Sequence, residues 1–472
     1  MRAILSRLVL CCGLVGAAVP ARAASAQAAM PPRDVYAVLF VLDGARVDLV
    51  RDAVAQGLMP TLRREFQGGG AVFDDARAVF PTITPAGYQA MVSGLLPGHA
   101  GIPYLEWYDR ARKRRVRFLS ARGMERVNGS FENWYDPGRT RTLFDDLAGH
   151  PTAAVFSVFS RHASVRRPVR LLPAFLAVAV AHRYDAPDAE AFRALTELFE
   201  QPLDQVPRFS LVGLLSTDTL GHHVGSLHAA TRDNLRVFDA RLAAFLDLLR
   251  ARGIADRTYL VITADHGMHD IVGVFRLKKY LRRHGIAPRR LVIAARGIGS
   301  AMVYSKEGTP TMPADLPDII SRAPEVAFVA ARDGDGRVRV VAHDGEGRIV
   351  RRGRSAPARY DYRVVAGVDP LHGIADAARQ VGQLFDDGRA GDCVVVNTAD
   401  WGFFRRKEAT HGTLLPADMR VPLFIRGPGV PRRTIAAPVS LVDLYPTMLH
   451  WFGLGPPRAP IDGTAIPFQP AR

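Results

Sequence analysis

The chain has 472 residues, 48% of them hydrophobic and 23% charged, with a formal net charge of +16. These proportions exclude a disordered or collagen-like protein, and the length calls for one large α/β domain with an insertion, or two closely joined domains. The positive excess is mostly arginine, densest at 110–117 and 351–354; without interleaved aromatics it argues against a nucleic-acid groove, although it would steer anionic substrates.

Residues 1–23 have the layout of a secretory signal peptide. Arg2 and Arg7 precede an apolar run over 8–19, and Ala21-Arg22-Ala23 offers a small-x-small cleavage site. The run is too short to span a bilayer, which takes about 20 apolar residues, and no other segment reads as a membrane span. Of the three cysteines only Cys393 lies beyond the leader, so no internal disulfide is expected. Export without disulfides fits a bacterial periplasm or the extracellular space.

The catalytic domain is expected over 34–472. It opens on the continuous apolar run 36–42, which reads as a buried parallel strand ending at Asp43-Gly44. The runs 153–158, 209–215, 259–263 and 421–425 have the same character. Leu235, Phe238, Leu242, Phe245 and Leu249 recur at helical spacing. Alternating strands and helices predict an α/β fold, a mostly parallel sheet with helices on both faces. Two stretches read as insertions: an Arg-rich cap segment at 108–144, carrying Trp134 and Tyr135, and an α+β subdomain at 275–406 with hairpin-like segments.

Catalytic groups in such sheets gather at the carboxyl ends of the strands. Asp43, Asp218 and Asp265-His266 stand at those ends. Asp218 and His222 are four residues apart, which on a helix puts a carboxylate and an imidazole on one face. His411-Gly412, taken alone, is as compatible with a turn. Thr84 precedes Pro85 and an amphipathic run, so it reads either as a helix N-cap or as a nucleophile placed at a helix start. Together Asp43, Thr84, Asp218, His222, Asp265, His266 and His411 make a mixed N/O donor set suited to zinc, with manganese the alternative. Two such ions roughly 3.5–4 Å apart clamp the attacking and leaving oxygens of an in-line displacement.

With these residues in place, the sequence resembles the alkaline phosphatase superfamily and, within it, the nucleotide pyrophosphatase/phosphodiesterase (type I phosphodiesterase) family. The resemblance rests on Val41-Leu-Asp-Gly44, Phe80-Pro-Thr-Ile-Thr-Pro85, Gly94-Leu-Leu-Pro97, Trp107-Tyr-Asp109, Asp218-Thr-Leu-Gly-His222, Thr263-Ala-Asp-His-Gly-Met268, Thr410-His-Gly412 and Asp443-Leu-Tyr-Pro-Thr447, in the family's order. It implies that Asp43, Thr84, Asp265 and His266 hold one divalent ion and Asp218, His222 and His411 the other. It also implies that Thr84 is transiently phosphorylated, and that the substrate is a small nucleotide-like or lipid-derived phosphodiester. His223 adjoins the second group, but the Gly-His pattern selects His222.

The sequence departs from the family at Pro85-Ala-Gly-Tyr88, where an Asn-His pair is usual, and at Leu105, where an asparagine normally binds a phosphoryl oxygen. The Thr84-Pro-Ala-Gly-Tyr88 segment leans toward a related monoesterase branch, whose Lys-x-Arg phosphate grip is represented here only by Arg161 in Phe159-Ser-Arg161. A phosphomonoesterase, or a homologue that binds metal and phosphate with impaired catalysis, are therefore the competing expectations. The residues after Thr84 do not fit a sulfatase.

Overall fold

The structure is a computed structural model that describes residues 34–118, 124–127, 130–133, 140–169, 183–295, 298–306, 313–334, 336–353, 357–403 and 408–468. The expected signal peptide at 1–23 and the Trp134-Tyr135 pair lie outside the described residues.

The main sheet has eight strands: β1 (Tyr36–Leu42), β2 (Ala71–Phe73), β3 (Thr152–Val155), β4 (Val165–Arg167), β5 (Phe209–Leu214), β6 (Thr258–Thr263), β7 (Leu423–Arg426) and β8 (Arg433–Ile435). Their order is β8-β2-β7-β6-β1-β5-β3-β4. β1 lies at the centre, parallel to β5 and β6, and every one of its side chains is buried. A strand covered on both faces has no reason to alternate, which is why it reads as one apolar run.

Four helices place the site: α1 (Thr84–Ser93), α2 (Ala186–Phe199), α3 (Ser216–Val224) and α4 (Ala229–Ala251). α2 and α4 cover one face of the sheet, where Phe40 of β1 meets the rings of Phe192, Phe238 and Phe245. α4 buries Leu235, Phe238, Leu242, Phe245 and Leu249, the stripe its spacing predicts. α1 and the helix Leu444–Trp451 pack together on the opposite face. The α/β class and the mostly parallel sheet are as expected. One strand differs: β7, expected parallel from the run 421–425, is antiparallel to both β6 and β2. Burial on both faces sets its composition, and composition carries no strand direction.

A second, wholly antiparallel sheet of seven strands runs in the order Leu291–Ala294, Ser300–Ser305, Cys393–Asn397, Val326–Arg332, Arg337–Val341, Gly345–Arg352 and Arg359–Gly367. Its central strands alternate between two cores. Val292, Met302, Phe328 and Val394 join the main core. Leu291, Val303, Val329 and Cys393 join a smaller one closed by Leu277, Leu281, Leu316 and Ile320. This period of two is the sheet's pleat expressed as burial.

His99 ties the C-terminal segment to the flank of the second sheet. Its Nδ1 lies 2.7 Å from Asp462 and its Nε2 lies 2.9 Å from Asp386, near the second sheet. Burial pulls the imidazolium pKa down, but the hydrogen bonds and charges of the two carboxylates outweigh it and hold it up at about 9. The unfolded value is 6.5, so the stabilisation is complete below that pH and is lost as pH rises through the folded value. The stability difference between the native chain and His99→Gln, measured by urea unfolding, is therefore expected to shrink steadily from pH 6.5 to about 9. A difference that is constant or grows over that window would contradict the charged pairing.

Candidate metal centre

The site forms where β1, β5 and β6 end, beside the start of α1. The Asp43 amide still donates to the Leu214 carbonyl of β5 at 2.9 Å, and the chain then turns sharply, with the Ala45 amide donating to the Leu42 carbonyl at 3.0 Å and Gly44 at φ +69°. A Cβ on Gly44 would stand 3.0 Å from the Asp218 Cα, so the missing side chain lets the β1 turn lie against α3. The Gly44 amide donates to Asp265 Oδ1 at 3.2 Å, tying the ends of β1 and β6 together.

The expected residues converge. His266 Nε2 is 3.4 Å from Asp265 Oδ2, 3.5 Å from Asp43 Oδ1 and 3.4 Å from the Thr84 hydroxyl. On α3, His222 Nε2 is 3.3 Å from Asp218 Oδ1, and His411 Nε2 is 3.8 Å from the same oxygen. The rings of His266 and His411 stack with centroids 3.8 Å apart. One ligand atom each from Asp218, His222 and His411 lie within 4.8 Å of one another, as do those of Asp43, Asp218 and His266. Asp218 thus stands at the seam of two adjoining groups. Asp43, Asp265, His266 and His411 form a buried floor, while Thr84, Asp218 and His222 are half-buried at its mouth.

All three imidazoles are held the same way. Nδ1 of His222 donates to the Ala409 carbonyl at 2.8 Å, that of His266 to Gly267 at 3.0 Å and that of His411 to Thr82 at 2.7 Å. A carbonyl only accepts, so each Nδ1 carries the hydrogen and each Nε2 turns a lone pair toward the carboxylates. Asp43 Oδ1, Asp218 Oδ1 and Asp265 Oδ2 are buried and receive no hydrogen bond. Lone pairs facing lone pairs over less than 4 Å repel unless protons or cations lie between them. The donor set therefore fits divalent ions, and the outward hydrogen bonds are those that orient histidine ligands. Burial, then repulsion from Asp265 and Asp218, pushes the Asp43 carboxyl well above its ordinary range. Burial raises Asp265 too, with the neighbouring His266 acting against it.

The Thr84 hydroxyl is not used as a cap. α1 begins at Thr84 itself, Ile83 takes the N-cap position, and no side chain caps the helix. Arg161 donates to the Thr140 carbonyl at 2.6 Å and stands 3.8 Å from Asp145, so its charge is partly engaged there. His223 is exposed and donates to the Thr219 carbonyl. Leu105 packs against the core. Two supporting residues carry no sequence signal of their own. Thr82 donates through its hydroxyl to the Thr413 carbonyl and accepts from the Gly412 amide, both at 2.9 Å, joining the Thr84 and His411 segments. Asp188 of α2 accepts from the Ser216 amide at 3.1 Å, a carboxylate placed at the start of α3 from a distant element. Its own pKa is raised to about 6, chiefly by burial.

The chain matches the family described as Type I phosphodiesterase / nucleotide pyrophosphatase over residues 37–417. Human ectonucleotide pyrophosphatase/phosphodiesterase family member 1 is 25% identical over 231 residues, 49% of this chain and 23% of that protein. Venom phosphodiesterase of the cobra Naja atra is 23% identical over 260 residues, 53% of this chain and 29% of that protein. The chain thus spans about a quarter of the length of these relatives. Among solved structures, murine ectonucleotide pyrophosphatase/phosphodiesterase 5 aligns with TM-score 0.59 at 16% identity, covering 92% of this chain and 97% of that one. An inactive form of the same murine protein in complex with AMP aligns equally well, with TM-score 0.59 at 15% identity.

Gly87 offers a test of how tightly α1 seats on this floor. Alanine in a helix interior is ordinarily worth about 1 kcal/mol over glycine. A Cβ on Gly87, however, would lie 2.6 Å from the Asp265 carbonyl oxygen. Gly87→Ala should therefore lower the urea midpoint, and a higher midpoint would show that α1 does not rest on Asp265.

Proposed function

The chain belongs to the type I phosphodiesterase / nucleotide pyrophosphatase family, and on that premise we propose that it is an exported hydrolase that cleaves phosphodiesters with Thr84 as nucleophile. The observation that carries the proposal is the place of the Thr84 hydroxyl, 3.4 Å from His266 Nε2, at the mouth of a floor built from buried carboxylates and imidazoles. Asp43, Thr84, Asp265 and His266 would hold one divalent ion and Asp218, His222 and His411 the other, with zinc the best match to mixed N/O donors. When bound, the ions supply positive charge that lowers the pKa of a hydroxyl or water and offsets charge building on the phosphoryl oxygens.

The protein's own part is placement. The start of α1 aims Thr84 at phosphorus, and the turn at Gly44 with the Gly44–Asp265 bond keeps the floor in register. In the first step a Thr84 Oγ–P bond forms as the bond to the leaving oxygen breaks. The threonine proton passes to solvent and the leaving group takes a proton from solvent. In the second step water attacks phosphorus, Thr84 leaves and regains its proton, and a phosphomonoester is released.

A diester is favoured over a monoester on electrostatic grounds. The ion-pair partners of the three carboxylates are imidazoles, and the charge of Arg161 is partly taken by Thr140 and Asp145. A monoester dianion asks for more positive charge than that. The AMP bound by the murine neighbour and the pyrophosphatase name of the human relative suggest a nucleotide-type diester as substrate. Export is proposed from the leader at 1–23; among the described residues no helix is long and apolar enough to cross a membrane.

On an aryl phosphodiester, Thr84→Ala should cost on the order of 10³-fold or more in kcat, whereas Thr84→Ser should keep measurable turnover. An alanine variant as active as the native chain would remove Thr84 from the chemistry. Chelation should abolish turnover and added zinc restore it; full activity in chelator would refute the two-ion reading. With the same aryl leaving group, the diester should react faster than the monoester, and a large preference for the monoester would move the chain to the monoesterase reading.

A further inference from the structure

The segment carrying Asp265 and His266 and the segment carrying His411 reach the site from distant parts of the sequence, and one carboxylate stands between them. Asp418 is fully buried. Its Oδ2 accepts from the Thr413 amide at 2.9 Å and from the Thr413 hydroxyl at 2.7 Å. Its Oδ1 accepts from His269 Nδ1 at 2.7 Å, across 149 positions of sequence. Its main-chain carbonyl accepts from the Gly267 amide at 2.8 Å. The turn holding Asp418 is wedged tightly there, since a Cβ on Gly267 would fall 2.0 Å from the Ala417 carbonyl oxygen. His269 is also buried, and its Nε2 has no hydrogen-bond partner, so the ring's use lies in the bond to Asp418.

A buried carboxylate with three donors holds them in narrow geometry, because each broken bond would strand a polar group away from water. The donors here come one from each side of the site: His269 three residues past His266, and Thr413 two residues past His411. The main chains of the two segments also pair over a short stretch, at His269–Thr410 and Asp270–Ala409, with the Ile271 amide donating to the Glu408 carbonyl at 2.9 Å.

We propose that Asp418 is a positioning residue which, through His269 and Thr413, sets the distance between the Asp265–His266 ligands and His411, and thereby the affinity for the ion held by Asp218, His222 and His411. The proposal rests on the two-ion reading above. Without the tie, His411 keeps its bond to the Thr82 carbonyl and the main-chain pairing at Thr410, but the segment beyond it is no longer anchored to His269, and its separation from His266 is less narrowly set. The ion on the Asp43–Asp265–His266 side depends on β1 and β6 and is not affected.

The test uses zinc alone as the probe, titrated against a chromogenic chelator on the metal-depleted full chain. The native chain is expected to take up two ions. His269→Ala and Thr413→Val are each expected to leave the affinity for one ion as it is and to weaken the other about tenfold or more. His269→Asn places an amide N–H where Nδ1 stood and is expected to restore native affinity, which a loss of packing alone would not explain. Circular dichroism in excess zinc checks that each variant is folded, and Thr413→Val carries the test if the His269 variants are not. The proposal is overturned if both affinities are unchanged in the folded variants, or if His269→Asn binds as weakly as His269→Ala. A native chain that takes up no zinc would instead refute the two-ion reading itself.

Discussion

Three carboxylates share one largely buried space with imidazoles as their ion-pair partners, and the rest of the structure is arranged around that repulsion. Asp43, Asp218 and Asp265 each keep a buried oxygen that accepts no hydrogen bond. Leaving such groups unsatisfied is costly, and the cost rises when like charges sit close together. The chain holds them there all the same, at the ends of three adjacent strands whose side chains are almost wholly buried. The histidines do not relieve the strain in the neutral form, because their Nδ1 hydrogens point away to main-chain carbonyls. The arrangement makes sense as a cavity preorganised for positive ions, its orienting shell already satisfied.

Much of this was legible in the sequence because strand ends are legible. The runs 36–42, 209–215 and 259–263 end at Asp43, just short of Asp218, and at Asp265, and a parallel sheet aligns such ends on one edge. The Asp218–His222 spacing gave its helical face directly, and α3 realises it. What stayed hidden were residues whose role is a single hydrogen bond to a distant element. Thr82 and His269 lie in or beside segments the sequence marked, but nothing there names their partners, and Asp188 and Asp418 show no period and no special composition; only the folded chain brings each to its partner. Two local readings also met their limits. Thr84 could have been an N-cap, and the structure gives that position to Ile83. The run 421–425 fixed a buried strand at β7 but not its direction, since burial on both faces erases the pattern that would have marked it.

The departures at Pro85 and Leu105 take on a physical meaning in this setting. Proline removes one amide donor from the first turn of α1, and Leu105 packs against the core at the position where the family resemblance would put an asparagine. In the proposed reaction, electrostatic stabilisation of a phosphoryl group would then come mainly from cations and from what remains of the helix start. Such a site discriminates by total charge more than by directed hydrogen bonds. On the proposed function, that would suit a monoanionic diester, whose recognition leans on the groups flanking phosphorus rather than on a tight grip of its free oxygens.

Under the two-ion reading, proton and metal ion would compete for the same oxygens, which would join stability to function. Burial and the neighbouring carboxylates favour the protonated form of Asp43 when nothing else offsets its charge. A cation held by the floor would displace that proton and turn a repulsive cluster into a bonded one, so that part of the binding free energy would become folding free energy. The segments that gain most are those with the least sheet of their own: the His411 segment, joined to its surroundings by the short pairing at Thr410, by Thr82 and by Asp418. The strands β1, β5 and β6 need no such help, since their neighbours and both helical layers already fix them. The floor is thus a half set by the sheet facing a half set by a few buried hydrogen bonds, and on the two-ion reading the second half is where ion affinity would be tuned without disturbing the fold.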